Sequence, residues 1–140
     1  MTSIQNEFLD NWHRIVQEKD IAALGEILAE DVSMGAPPYW DRLEGHTLVH
    51  KLLELIINTI ADFTYHREWL SDSKNLGEIA LEFKGYIGEL DLQGIDLITL
   101  NEQGKIQQLD VMIRPINALE ALRDEVGPKM MAFLTGSENQ

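Results

Sequence analysis

The spacing of apolar residues changes near the middle of the chain, from about four residues to two. A period near four is typical of helices that bury one face, and a period of two is typical of strands whose alternate residues face opposite sides of a sheet. Helices followed by antiparallel strands predict an α+β fold.

The first half predicts three helices. Thr2 and Gln5 form a capping-box pattern at the start of a helix over residues 4–18. Asp20 is a candidate N-cap for a second, shorter helix, whose apolar stripe consists of Ile21, Leu24, Ile27 and Leu28. Residues 31–45 contain two prolines and two glycines without periodicity, which predicts a short strand and a loop. A third helix then begins, and its wide apolar face consists of Leu48, Val49, Leu52, Leu53, Ile56, Ile57 and Ile60.

The second half predicts four strands, over residues 62–71, 77–87, 91–101 and 104–114. In the first of them, alternation places Phe63, Tyr65, Arg67 and Trp69 on one face. The turn residues 101–104 predict a hairpin between the last two strands. Pro115 is expected to end the final strand and open a terminal helix, which carries Leu119, Leu122, Val126, Met130 and Phe133 on one side and a kink or break at Gly127-Pro128.

Length and composition favour one globular domain. The chain has 140 residues and a mass of 15.9 kDa, and we expect a domain over residues 1–134 followed by a flexible tail over 135–140. It has no cysteine, which excludes disulfides and thiolate chemistry. Eleven basic against 24 acidic residues give a formal charge of −13, so we expect neither nucleic acid nor an acidic membrane as a partner. The start resembles no signal peptide, and no apolar run is long enough for a membrane span, so a cytoplasmic location is expected.

The order of the predicted elements resembles the NTF2-like superfamily. More specific are EKDIAALGEILAEDVSM, the loop ending in LEG, and GIDLITLNEQGKIQQLDVMIRP, which resemble the SnoaL-like and ketosteroid-isomerase-like branches over nearly all of residues 4–134. The resemblance implies a cone in which a curved antiparallel sheet is wrapped around helices and encloses an apolar pocket. Because the superfamily includes isomerases, cyclases, epoxide hydrolases, dehydratases and noncatalytic binding modules, it does not select one activity.

Asp96 interrupts an otherwise apolar strand face, which consists of Leu92, Gly94, Ile98 and Leu100. If Leu100 pairs with Lys105, Asp96 lies opposite Leu109, with Val111 and Ile113 on the same face. Burial among aliphatic side chains would raise the pKa of Asp96 and keep it neutral, so that it could donate a hydrogen bond. The resemblance implies the same role, since Asp96 matches the isomerase acid that donates to the substrate oxyanion. Alternatively, Asp96 is structural: it bonds to a nearby backbone or helix, or faces the other side of the sheet.

Two residues depart from the isomerase pattern. The resemblance places Ala36 where the isomerase has its catalytic base, and Trp12 where it has a tyrosine that donates to the oxyanion. Alanine cannot take a proton, and an indole N–H donates a hydrogen bond without exchanging its proton in this range. The Arg/Asp/Asp set of limonene-type epoxide hydrolases has no match at corresponding positions. The isomerase mechanism itself is therefore not expected.

The sequence predicts a protein that holds a small, mostly apolar organic molecule in the cone. Asp96 is the candidate catalytic residue, and the candidate ligand-binding residues are Trp12, Tyr39, Trp40, Leu53, Trp69, Leu109, Val111 and Ile113. Any reaction would be an isomerase-, cyclase- or lyase-type proton transfer, with no metal or cofactor expected. The alternative is a noncatalytic ligand-binding or dimerisation module of the same fold.

Two further groups of residues suggest surface roles. His46 and His50 have the spacing of a helical metal site, but a third ligand is not evident, and we expect both to be solvated. Ile95, Leu97, Thr99 and Met112 make the outer face of the sheet apolar, which predicts a homodimer through that face. The alternative is a monomer in which the terminal helix covers the face.

Overall fold

The computed structural model describes residues 3–71 and 77–136, and these residues form one open, curved sheet packed against helices. The helices are α1 (Ser3–Glu18), α2 (Ile21–Glu26), α3 (His46–Thr59) and α4 (Ile116–Leu134). The strands are β1 (Leu28–Gly35), β2 (Leu43–Glu44), β3 (Ala61–Leu70), β4 (Glu78–Ile87), β5 (Leu90–Leu100) and β6 (Ile106–Arg114). The predicted α+β class is confirmed. The predicted tail lies mostly outside the described residues.

The sheet has the strand order β2-β1-β6-β5-β4-β3. Neighbouring strands are antiparallel except β1 and β6, which are parallel. The concave face packs on the helices and forms the core, to which Leu81, Phe83, Ile98 and Leu109 contribute from the sheet and Ile15 and Val49 from the helices. Within the described residues, no helix has both the length and the apolar character needed to cross a membrane.

The second helix begins where it was predicted but ends earlier. The Asp20 carboxylate accepts a hydrogen bond from the Ala23 backbone N–H at 3.1 Å, which confirms the predicted N-cap. Leu28, however, is the first residue of β1 rather than part of the helical stripe. The Ile106 N–H donates to the Ile27 carbonyl at 2.8 Å, so pairing with β6 ends the helix and starts the strand.

The terminal helix begins after Pro115, as predicted. Its buried residues are Ala118, Leu122 and Val126. It runs through Gly127 and Pro128 to Leu134, so the break that was one of the two predicted alternatives does not occur.

A β-bulge in β3 overturns the prediction that Phe63, Tyr65, Arg67 and Trp69 share a face. Tyr65 lies opposite Phe83, but Arg67 already lies opposite Glu82, so His66 is an extra residue in the ladder. One inserted residue reverses the facing of the rest of the strand. Tyr65 therefore points to the concave side, whereas Arg67 and Trp69 lie on the outer face.

The β5–β6 hairpin forms, but in a different register from the predicted one. Leu100 pairs with Ile106, and an irregularity next to this pair places Asp96 opposite Val111 instead of Leu109. The difference amounts to two residues, so the same side chains still face the same side. The predicted neighbours of Asp96 are therefore shifted along β6 while its face is unchanged.

Candidate functional site

Asp96 lies in the middle of β5 on the concave face, with only 6% of its surface exposed. Its cross-strand neighbours are Leu81 on β4 and Val111 on β6, both buried and aliphatic. The apolar surroundings predicted for this carboxyl group are therefore present. Such burial is costly for a carboxylate unless hydrogen bonds or charges compensate it.

The compensation comes from two aromatic side chains on other elements. The Tyr65 hydroxyl on β3 donates to Asp96 Oδ2 at 2.7 Å. The Trp12 indole N–H on α1 donates to the Tyr65 hydroxyl oxygen at 2.8 Å. We call Trp12, Tyr65 and Asp96 the donor chain. Trp12 is only 2% exposed, so the donor chain lies between α1 and the concave face of the sheet.

Burial raises the pKa of Asp96 to about 7, and the hydrogen bond from Tyr65 opposes that rise. The pKa of Tyr65 is raised well above its usual range by burial, and then by the neighbouring Asp96 carboxylate. Tyr65 therefore stays a neutral hydroxyl donor throughout the range in which Asp96 titrates. Asp96 can change its protonation state close to neutral pH, as general acid–base chemistry requires.

A second ionisable pair lies next to the donor chain. The His13 ring packs edge-on against Tyr65 with 5.2 Å between ring centroids. Its Nε2 atom lies 3.6 Å from Glu68 Oε2, and both side chains are partly exposed. This pair is therefore at the border of the core, between the donor chain and solvent.

An apolar cavity of about 560 Å³ lies between the loop after β1, α3 and α4. We call it the helix–loop cavity; its apolar and aromatic lining includes Tyr39, Trp40, Leu52, Ile56, Leu122, Val126, Met130 and Met131. Trp40 lies at the solvent-facing edge of this cavity and is 95% exposed. Asp96 is not among the described residues that line it. A volume of this size and an apolar lining are typical of small-molecule sites.

The other predicted site residues are distributed over three places. Leu53 and Leu109 are buried in the core. Val111 and Ile113 line a second cavity, of about 540 Å³, together with Tyr39 and Trp40. Trp69 lies on the outer face, 46% exposed, where the Arg67 guanidinium packs on its ring. The bulge at His66 is the reason that Trp69 does not face the interior.

The structure thus brings Trp12 and Asp96 together, but through a residue that the sequence prediction did not select. Tyr65 was placed on the same face as Phe63, which is correct. Its contact with Asp96 spans two strands and could not be derived without the register of β3. A tyrosine among aromatic residues on an inward strand face was the only available signal.

His46 and His50 are not solvated as expected. His46 Nε2 lies 2.6 Å from the Gly25 carbonyl oxygen, and His50 Nε2 lies 2.7 Å from the Ile21 carbonyl oxygen. Both rings therefore bind the backbone of α2. Among the described residues, no group of three histidine, aspartate or glutamate side chains is arranged to hold a metal ion.

A curved sheet wrapped around helices, with a buried acid on its concave face, defines a cone-shaped α+β protein. A steroid delta-isomerase from Pseudomonas aeruginosa has this fold with a TM-score of 0.87 and 29% sequence identity, over 96% of this chain and 97% of that chain. A conserved bacterial protein with a cystatin-like fold from Silicibacter pomeroyi DSS-3 is 34% identical, with a TM-score of 0.81, over 89% of this chain and 85% of its own.

More distant structures share the fold alone. SalBIII, an epoxide hydrolase/cyclase-like enzyme of pyran ring formation in the polyether salinomycin, is 19% identical with a TM-score of 0.63, over 79% of this chain and 91% of that chain. No family model and no curated protein sequence matches the chain. The structural neighbours nevertheless show that this protein has the NTF2-like fold, as the sequence predicted.

Proposed function

We propose that this protein binds a small, mostly apolar organic molecule with a carbonyl oxygen, and that neutral Asp96 donates a hydrogen bond to that oxygen. The observation that carries the proposal is the state of the Asp96 carboxyl group. It is buried among aliphatic residues, and its hydrogen bond from Tyr65 engages only Oδ2. Oδ1 accepts no hydrogen bond within the described part of the chain, and it is the atom that we propose donates to the ligand.

The reaction class that fits such a group is a proton transfer next to a carbonyl. An acid that titrates near neutral pH can both give and take a proton, and a hydrogen bond to the carbonyl oxygen stabilises the charge that develops there. Isomerisation, cyclisation and dehydration are reactions of this kind. The steroid delta-isomerase from Pseudomonas aeruginosa suggests steroid ketones as the first compounds to test.

The second candidate function is noncatalytic binding by the same site. Ala36 stands where the resemblance places the isomerase base, and its side chain cannot accept a proton. Among the described residues, Glu82 is the other buried ionisable side chain, and it lies on the outer face with Arg67. A reaction would therefore have to use Asp96 both to remove and to return the proton.

Progesterone, a neutral steroid ketone, is a suitable probe for binding by calorimetry over a range of pH. We expect the wild type to bind it below the pKa of Asp96 and to lose affinity above that pKa, because the carboxylate has no proton to donate. Asp96→Asn should keep binding at all pH values, since its amide N–H donates, and Asp96→Leu should weaken binding roughly tenfold.

Asp91→Asn on the exposed outer side is the matched control and should behave like the wild type. Binding by the wild type that does not change with pH, or unchanged binding by Asp96→Leu, would contradict the proposal. The unconjugated isomer of progesterone separates the two candidate functions. Its Asp96-dependent conversion to progesterone, followed by ultraviolet absorbance, indicates an isomerase, whereas binding without conversion indicates a binding module.

A further inference from the structure

The direction of the hydrogen bonds in the donor chain is fixed at one end. An indole N–H donates and cannot accept, so the Tyr65 oxygen is the acceptor in the contact with Trp12. The hydroxyl proton of Tyr65 is then free to point at Asp96 Oδ2, 2.7 Å away. In the neutral acid, Oδ2 is therefore the carbonyl-like acceptor, and the acid proton lies on Oδ1.

We propose that Trp12 is a positioning residue: its N–H orients Tyr65 so that the proton of neutral Asp96 is carried on Oδ1 and serves an acceptor oxygen of the ligand. The inference rests on the proposed function and specifies its ligand class. The site is matched to oxygens that only accept, such as those of ketones and other neutral carbonyl compounds. A hydroxyl group offered as a donor would meet the proton of Oδ1.

Without the Trp12 N–H, the Tyr65 oxygen loses that donor and becomes a stronger acceptor for Asp96. Neutral Asp96 could then turn its proton toward Tyr65, which satisfies both groups inside the protein and removes the donor from the ligand. The same change stabilises the neutral acid relative to the carboxylate. Loss of the N–H is thus expected to raise the pKa of Asp96 and yet weaken ketone binding. If Trp12 only filled space, loss of its N–H would not both raise the pKa of Asp96 and weaken ketone binding.

The surroundings hold the Tyr65 ring in place independently of Trp12. Phe63 packs against it at 5.0 Å and Phe83 at 6.3 Å between ring centroids, both edge-on. The His13 ring from α1 also packs edge-on against the Tyr65 ring, and Glu68 from β3 is the ionic partner of His13. These groups are unchanged by a substitution that removes one N–H, so they affect the wild type and the variant equally.

The test replaces Trp12 by benzothienylalanine, in which sulfur takes the place of the indole N–H at nearly unchanged shape. The pKa of Asp96 is measured in the ligand-free protein by carbon NMR of its labelled carboxyl group. We expect a rise that corresponds to a roughly three- to tenfold smaller ionisation constant, the size of one hydrogen bond. Progesterone affinity, measured well below both pKa values, should fall about tenfold.

A second substitution separates orientation from packing. Tyr65→Phe in the benzothienylalanine protein removes the competing acceptor, so progesterone binding should return to near the wild-type level. The same sulfur replacement at Trp69 on the outer face is the control and should change neither quantity. An unchanged or lowered pKa of Asp96 in the Trp12 variant, or no recovery on adding Tyr65→Phe, would overturn the inference. If the wild type does not bind progesterone, the proposed function fails, while the pKa of the ligand-free variant still decides the role of Trp12.

Discussion

Among the described residues, two carboxyl groups are buried, those of Glu82 and Asp96, and their environments are opposite. Glu82 accepts hydrogen bonds from Arg67 Nε at 3.2 Å and from Gln93 Nε2 at 2.8 Å, and its second contact with Arg67 makes the pair bidentate. The hydrogen bonds from Arg67 hold the pKa of Glu82 below its usual range. Asp96 has only a neutral hydroxyl as its partner, and its pKa is raised. Of these two, only Asp96 changes charge near neutral pH.

The raised pKa of Asp96 predicts a pH dependence of stability. The pKa rises from 3.8 to about 7 on folding, so between these values the folded state binds a proton that the unfolded chain has released. The free energy of unfolding of the wild type should therefore fall as pH increases through this window. Relative to Asp96→Asn, which stays neutral, the loss should reach on the order of 2–4 kcal/mol above the folded pKa.

Urea unfolding of the two proteins at matched pH values measures this difference. The other ionisable groups are common to both proteins, so subtraction removes their contributions where they act independently of Asp96. Below the unfolded pKa of aspartate, the difference should no longer change with pH. A difference that is constant throughout, or one that favours the wild type as pH rises, would show that Asp96 is not a buried acid with a raised pKa.

For individual residues, the sequence pattern identified Asp96 but not Tyr65 as part of the candidate site. An acid within an alternating apolar series is easily recognised, because the strand period alone assigns its face. The contact of Tyr65 with Asp96 depends on the order and register of three strands. No local pattern in the sequence encodes those features.

The six-residue helix α2 shows how a short element is fixed by its neighbours. A helix of this length is marginal by itself. The Asp20 cap holds its N-terminus, and the rings of His46 and His50 on α3 bind two of its backbone carbonyls. The cap was predictable because capping is local in sequence. The histidine contacts were not, because they require the packing of α2 on α3.

The packing of His50 on α2 predicts that Gly25→Ala destabilises the wild-type protein but stabilises a His50→Ala variant. A Cβ added at Gly25 would lie 2.8 Å from Cε1 of the His50 ring, which is held by the Ile21 carbonyl. Gly25→Ala should therefore displace the ring and destabilise the protein by about 1 kcal/mol. In a His50→Ala background the clash is absent, and the same change should stabilise by roughly 0.5–1 kcal/mol, as alanine does in a helix.

A double-mutant cycle by urea unfolding measures the coupling between the two positions. Gly127→Ala on α4 serves as the control, since a Cβ there would meet no atom within 4 Å, and it should have the same effect in both backgrounds. Equal effects of Gly25→Ala with and without the His50 ring would contradict the proposed packing.

At the scale of the whole molecule, the outer face of the sheet carries an apolar patch that the described residues leave exposed. Leu97 is 38% and Met112 57% exposed, and they belong to the patch of Ile95, Leu97, Thr99 and Met112 predicted to join two copies. The alternative, in which the terminal helix covers this face, does not hold, because α4 packs against α3 and buries its apolar residues there and on the concave side. Polar pairs flank this patch on the same face: Asp110 forms an ion pair with Arg42, and the Arg114 guanidinium donates a hydrogen bond to Gln93.

We therefore expect a homodimer in which this outer-face patch packs on its twofold-related copy. Each chain carries a formal charge of −13, so the two copies repel one another, and added salt should strengthen association by screening that repulsion. Light scattering at micromolar concentration should give twice the 15.9 kDa chain mass.

Leu97→Glu should yield a folded monomer, because it places a charge in the centre of the contact, whereas Thr47→Glu on the exposed side of α3 adds the same charge elsewhere and should leave the dimer intact. A wild-type mass of one chain at all salt concentrations would reject the dimer. Equal dissociation by the two substitutions would contradict the proposed contact, because added charge would then weaken the dimer regardless of where it is placed.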